Sequence, residues 1–154
     1  MFRKMRRQDR CLLEEDAKKV LLEGKYGIVS LVGNDGYPYG VPMHYVVNNQ
    51  KVYFHTTSTS GLKAELIKQN SKVSFAVVET NDGIKCRSVI CFGDLIEVSD
   101  KRQFVLEQFV EKFVPPFAWE QAKSGIKFAL DNINAYELNI KHISGKWVDK
   151  PEGK

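Results

Sequence analysis

A chain of 154 residues with 43% hydrophobic and 27% charged side chains has the length and balance of one globular domain with a buried core. No apolar run approaches the roughly 20 residues of a membrane-spanning helix, and a net charge of +4 is too mild to mark a nucleic-acid binder by itself. Cys11, Cys86 and Cys91 share no CxxC or Cys/His spacing, which argues against a disulfide frame or a zinc site and for a reducing, cytoplasmic setting.

The first residues, MFRKMRRQDR, crowd Arg3, Lys4, Arg6, Arg7 and Arg10 into a basic N-terminal arm, residues 1–12, without the apolar stretch of a secretory signal. Such an arm can touch nucleic acid, but it serves equally as a solvated extension or as the rim of an anionic-ligand site. Leu13 to Glu23 is patterned as a helix. Glu14, Glu15 and Asp16 favour its positive end, Val20, Leu21 and Leu22 are its apolar residues, and Gly24 stops it. Tyr26–Val32 reads as an apolar strand, and Asn34-Asp35-Gly36 as a hairpin turn. Tyr37–Val47 follows as a second strand. Pro38 and Pro42 remove ladder donors, so it is expected to be interrupted, bulged or at an edge.

Asn48-Asn49-Gln50 turns the chain into the strand Lys51–His55, and five consecutive hydroxyl residues, Thr56 to Ser60, come next. Gly61 and Lys63 lead into a short amphipathic helix marked by Leu62, Leu66 and Ile67. Hydroxyl and backbone N–H donors, a fixed cation and a helix N-terminus are what a phosphate group requires. The same residues also describe an ordinary N-cap beside a solvated lysine. Lys72–Glu79 is apolar enough to be buried on both faces. After a turn at Asn81-Asp82-Gly83, Lys85–Val98 is a long strand with Gly93 as its expected bulge. Asp100 is placed to cap a helix carrying Phe104, Val105, Phe109 and Phe113, which Pro115-Pro116 ends. Phe117–Leu130 reads as irregular or weakly helical, and Ala135–Val148 as a closing strand. Six strands joined largely by hairpins, with three helices around them, predict a mainly β (α+β) fold: a six-stranded antiparallel barrel with peripheral helices, in a single domain spanning 1–154.

The ordered segments GKYGIVSLVGNDGYPYGVPMHYVV, KVYFHTT, GLKAELIKQNSKVSF, SVICFGDLIEV and HISGK together resemble the FMN-binding split-barrel proteins related to pyridoxamine 5′-phosphate oxidase, in the branch of the nitroimidazole-resistance proteins. The resemblance implies a split barrel, a homodimer and two FMN sites at the subunit interface. It places Pro42, Met43 and His44 along the flavin ring, and Phe54, His55, Thr56 and Thr57 beside the ribityl chain leading to the phosphate. It makes Lys63 the phosphate lysine, Ser88 a polar residue close to the flavin and His55 the cofactor-side histidine with a catalytic role, the other reading of His55 being a satisfied core histidine; Trp147 is a dimer or a flavin-edge contact. Many relatives read Gly-His-Lys where this chain has Gly61-Leu62-Lys63, so one imidazole is missing from the phosphate turn. The implied activity is an FMN-dependent reductase or oxidase of nitroreductase-like type. It would pass reducing equivalents from NAD(P)H to a small aromatic acceptor such as a nitroimidazole, with no metal, nucleic-acid or membrane partner.

Three other readings stay open: a non-catalytic flavin- or haem-binding module, a deazaflavin in place of FMN, and a pyridoxamine 5′-phosphate oxidase-like enzyme. Among the remaining candidates, His142 is a structural histidine or a haem ligand. Phe117, Trp119 and Pro115-Pro116 form either a lid over the substrate or an aromatic anchor. The absence of a nucleophile or general-base triad agrees with chemistry carried by a cofactor.

Overall fold

The computed structural model describes residues 2–58, 61–80 and 85–148. The expected turn at Asn81-Asp82-Gly83, and Thr59 and Ser60 of the hydroxyl run, lie outside the described residues. In chain order the elements are α1 (Glu14–Glu23), β1 (Tyr26–Val32), β2 (Pro38–His44), β3 (Val46–Asn48), β4 (Lys51–Thr57), α2 (Leu62–Gln69), β5 (Lys72–Thr80), β6 (Cys86–Glu97), α3 (Arg102–Phe113), α4 (Trp119–Ala129) and β7 (Ile133–Val148). The seven strands form one antiparallel sheet in the order β2-β1-β5-β6-β7-β4-β3.

β2 and β3 are the two edges of this sheet, yet a single residue, Tyr45, joins them in sequence. The sheet must therefore curl until its edges meet, which is the split-barrel arrangement. Tyr45 also explains why there are seven strands and not the six expected. Its ring is fully buried against Phe54 and Phe75, and its hydroxyl donates to the Leu21 carbonyl at 2.6 Å. Anchored there, the chain leaves the β1 ladder at His44 and joins the β4 ladder at Val46. Pro38 and Pro42 lie on the β2 edge, where a missing N–H is tolerated.

The segment expected to be irregular or weakly helical forms the helix α4, packed along α3. Two further expectations need correction. No side chain caps α3, which follows a 3₁₀ turn over Ser99–Lys101, so Asp100 does not act as its cap. β5 is buried on one face only: Val73, Phe75 and Val77 point into the barrel, while Val78 is 62% exposed because no helix covers that side. The turns come out as expected. Gly36 takes a φ of +85°, and the Asn48–Lys51 hairpin is closed by Asn49 and Gln50 at +47° and +62°.

One core fills the barrel. Leu31, Phe54, Phe75, Val89 and Leu138 are its strand residues, and Val20 and Leu21 of α1 and Leu66 of α2 plug it. A second, smaller core lies outside the barrel wall, where Val105 of α3 packs on Val46, Tyr53, Ile133 and Ala135. This is why Ala135 to Leu138 are buried consecutively and do not alternate. The expected bulge is present, as a register shift between Phe92 and Gly93. A Cβ on Gly93 would lie 2.2 Å from the Asn139 carbonyl oxygen. Gly93→Ala is therefore expected to lower stability by about 2 kcal/mol, the cost of forcing backbone apart in a packed sheet. A urea melt checks this, and an unchanged midpoint would mean that β7 moves aside freely.

Candidate functional site

Strand alternation divides the residues singled out from sequence. Met43 and Phe54 turn into the barrel, at 9% and 0% exposure, so neither side chain is free to touch a ligand. Their neighbours His44 and His55 turn outward, as does Pro42, which is exposed. Because β2 and β4 approach where the sheet curls, His44 and His55 line the same cavity of about 620 Å³, roofed by α3 and α4. The α3 residues Phe109 and Phe113, one helical turn apart, each hold one histidine. Phe109 meets the His55 ring edge-to-face at 4.5 Å and Phe113 meets His44 at 5.3 Å, while the two phenylalanines stack on each other at 5.6 Å. Their helical spacing is visible in the sequence, but the face they present is not.

Burial holds His55 below the ordinary histidine value, and the charges of His44 and Lys63 push in the same direction. The ring is thus neutral at physiological pH, with one nitrogen donating and one accepting. Neither the His44 nor the His55 side chain hydrogen-bonds another described residue. Lys63, in the first turn of α2, is half-buried, and burial lowers its pKa. It makes no ion pair among the described residues. Thr56 and Thr57 end β4 on the way to it, with the Thr56 hydroxyl donating to the Thr57 carbonyl at 3.0 Å. A flavin phosphate fits this corner: a partly desolvated cation without an ion-pair partner among the described residues, at the N-terminal turn of a helix, beside hydroxyl residues.

Ser88 and Trp147 are not part of this cavity. Ser88 faces outward opposite Lys146 and lines a separate groove with Arg3 and Lys4 of the N-terminal arm. Trp147 sits at the end of β7, opposite Arg87, and is 40% exposed. His142 is stacked by Phe2 at 4.7 Å. Trp119 donates its indole N–H to the Val114 carbonyl at 2.8 Å and so anchors the α3–α4 turn, while Phe117 is 92% exposed. Among the described residues, no helix is long and apolar enough to cross a membrane.

Residues 14–147 match the pyridoxamine 5′-phosphate oxidase family. The chain belongs to that family. Pyridoxamine 5′-phosphate oxidase-like proteins bind flavin, which agrees with the anion-ready corner at Lys63. No curated protein matches the chain. Solved structures of similar fold include a conserved hypothetical protein of Mycobacterium tuberculosis, with a TM-score of 0.81, 18% identity, and 98% of this chain and 96% of that one covered. A candidate 5-nitroimidazole antibiotic resistance protein of Bacteroides thetaiotaomicron matches at a TM-score of 0.71 and 16% identity, over 89% of this chain and 86% of that one. An FAD and heme binding protein of Mycobacterium smegmatis matches at 0.77 and 17%, over 92% of this chain and 75% of that one. At these identities the likeness establishes the split-barrel fold shared with the family.

Proposed function

We propose that this member of the pyridoxamine 5′-phosphate oxidase family is a cytoplasmic FMN-dependent oxidoreductase that passes reducing equivalents from NAD(P)H to a small aromatic acceptor, a nitroimidazole being one such molecule. The observation that carries this reading is Lys63, a half-buried cation without an ion-pair partner among the described residues, within electrostatic reach of the outward-facing His55. In this reading Lys63 and the Thr56–Thr57 hydroxyls hold the phosphate. The β2 edge at Pro42–His44 supplies ladder-free backbone groups to the polar rim of the ring, and His55 stands beside it. Bound flavin supplies hydride transfer. The residues do the rest: His55 offers a neutral donor and acceptor, and α3 and α4 give the cavity an apolar wall.

The reading includes a homodimer. Tyr26, Ile28, Val78 and Ile90 leave an apolar stretch exposed on the outer face of the sheet, at 65%, 38%, 62% and 43%. Two copies joined across that face would let Ser88, which shares it with Ile90, complete the site of the other copy.

The test is the visible absorption spectrum of freshly purified protein, before and after adding FMN and then NADPH. A flavin spectrum that bleaches with NADPH is expected, and mass analysis of the released chromophore separates FMN from FAD or a deazaflavin. A flavin that stays oxidised in the presence of NADPH would favour the non-catalytic module, and a Soret band would favour haem. No chromophore after reconstitution would overturn the proposal.

A further inference from the structure

Nothing in the packing of α4 explains Gly125. It lies inside the helix, a position where glycine is among the least favourable residues. Its φ is not positive, and a Cβ built there would meet no atom within 4 Å. Neither backbone conformation nor crowding therefore requires a glycine. The missing side chain does have one consequence: Gly125, with Ile126 on the same helix, lines the cavity that ends at His44 and His55.

We infer that the cleft between α3 and α4 is the acceptor pocket, that it takes a flat aromatic molecule of one or two rings bearing a hydrogen-bond-accepting oxygen, and that Gly125 sets the size it admits. The volume of about 620 Å³ suits a small organic molecule. The stacked pair Phe109 and Phe113 offers an aromatic wall, which favours a ring over a flexible chain. At the strand end, the imidazoles of His44 and His55 have no hydrogen-bond partner among the described residues, so their N–H groups are free to donate to a ligand oxygen. Among the described residues no carboxylate lines the cavity, so a cationic ligand would find no counter-charge from them there. Calling the occupant an acceptor rests on the flavin-reductase reading above, whereas its binding does not.

The test titrates 4-nitrobenzyl alcohol into flavin-loaded protein without reductant and follows the three histidine Cε1–H signals by NMR. Saturable shifts of His44 and His55 are expected, with His142 unmoved as an internal reference. Gly125→Leu is expected to weaken binding at least tenfold with the fold intact. Gly125→Ala should keep binding and raise Tm, since its methyl enters open space. Unmoved His44 and His55 signals would overturn the inference, as would a folded Gly125→Leu protein that binds like the wild type. If Gly125→Leu does not fold, the wild-type titration still decides. Binding to flavin-free but not to flavin-loaded protein would give the cleft to the cofactor ring and defeat the acceptor assignment. If the protein takes up no flavin at all, histidine shifts with the probe would leave the aromatic pocket standing while the reductase reading fell.

Discussion

Lys63→Ala is expected to lower the affinity for FMN on the order of 50-fold and to leave the affinity for riboflavin unchanged. The size follows from the 1.5–3 kcal/mol typical of a hydrogen bond to a charged group, at about 1.4 kcal/mol per factor of ten. Lys63 deserves the upper half of that range. It is half-buried, its ammonium is already partly stripped of water, and no described carboxylate competes for it. A phosphate arriving there displaces only the water that remains, so less desolvation opposes the charge-assisted bond. Riboflavin lacks the phosphate, so its binding isolates the ring and ribityl contacts. Lys68→Ala, on an exposed position near the end of the same helix, is the control and should change neither affinity. Fluorescence quenching of each flavin on titration gives the constants. Equal losses for FMN and riboflavin would show that Lys63 shapes the pocket without meeting the phosphate, and no loss for FMN would remove the phosphate site from this corner.

The second large effect falls on stability. Glu137 of β7 is 2% exposed, and its carboxylate takes hydrogen bonds from Lys101 at 2.6 Å and from Lys51. Lys51 belongs to β4 and Lys101 immediately precedes α3, so one carboxylate ties two strands to the start of the helix that roofs the site. Glu137→Ala is expected to cost about 3 kcal/mol. That is the lower end of the range for breaking a buried ion pair, because both lysines are about 40% exposed and regain water once released. Glu137→Gln should cost less, since the amide oxygen still accepts one of the bonds.

The same group predicts a pH dependence. Burial alone would raise the Glu137 value, but hydrogen bonds from Lys101, Lys51 and Tyr53 outweigh it and hold the carboxyl below the 4.5 of a free glutamate. A lowered folded value means that the unfolded chain takes up the proton first. The stabilisation is therefore complete above about pH 4.5 and is lost as the pH falls through the folded value. Urea midpoints of wild type and Glu137→Gln should converge as the pH drops below 4.5. Parallel curves down to pH 3 would show that Glu137 is not the group that titrates.

The fold was largely legible in the chain. Strand boundaries came from period-two patterns and from turn residues whose chemistry is local: Asp35-Gly36, and Asn49-Gln50 with their positive φ. The bulge at Gly93 followed from a glycine inside a strand. What was missed depended on distant partners. Tyr45 looks like any strand aromatic until its hydroxyl is seen to reach Leu21, and that contact splits one expected strand into two. The helix α4 is weakly marked in sequence, with Gly125 in its middle, and it is held by packing against α3.

The candidate site was legible in its strand half only. Residue types alone pointed to Lys63, because a strand that runs through hydroxyl residues into a lysine-bearing helix turn is a local signal, whereas His55 was singled out by the family resemblance. Period-two alternation fixed that Phe54 and His55 face opposite ways, but not which of them faces the core. The roof is a tertiary product. Phe109, Phe113 and Gly125 lie some 50 to 80 residues beyond the strand histidines, and only the packing of α3 on the barrel wall around Val105 brings them there. The antiparallel strands and the described turns at Asp35-Gly36 and Asn49-Gln50 were thus readable locally, since each depends on neighbours a few residues apart. The tertiary structure decided that the sheet curls about Tyr45, that Met43 and Phe54 are core while His44 and His55 face the cavity, and that Ser88 and Trp147 lie elsewhere. Those outcomes come from burying side chains against distant elements, and no short window of sequence contains that information.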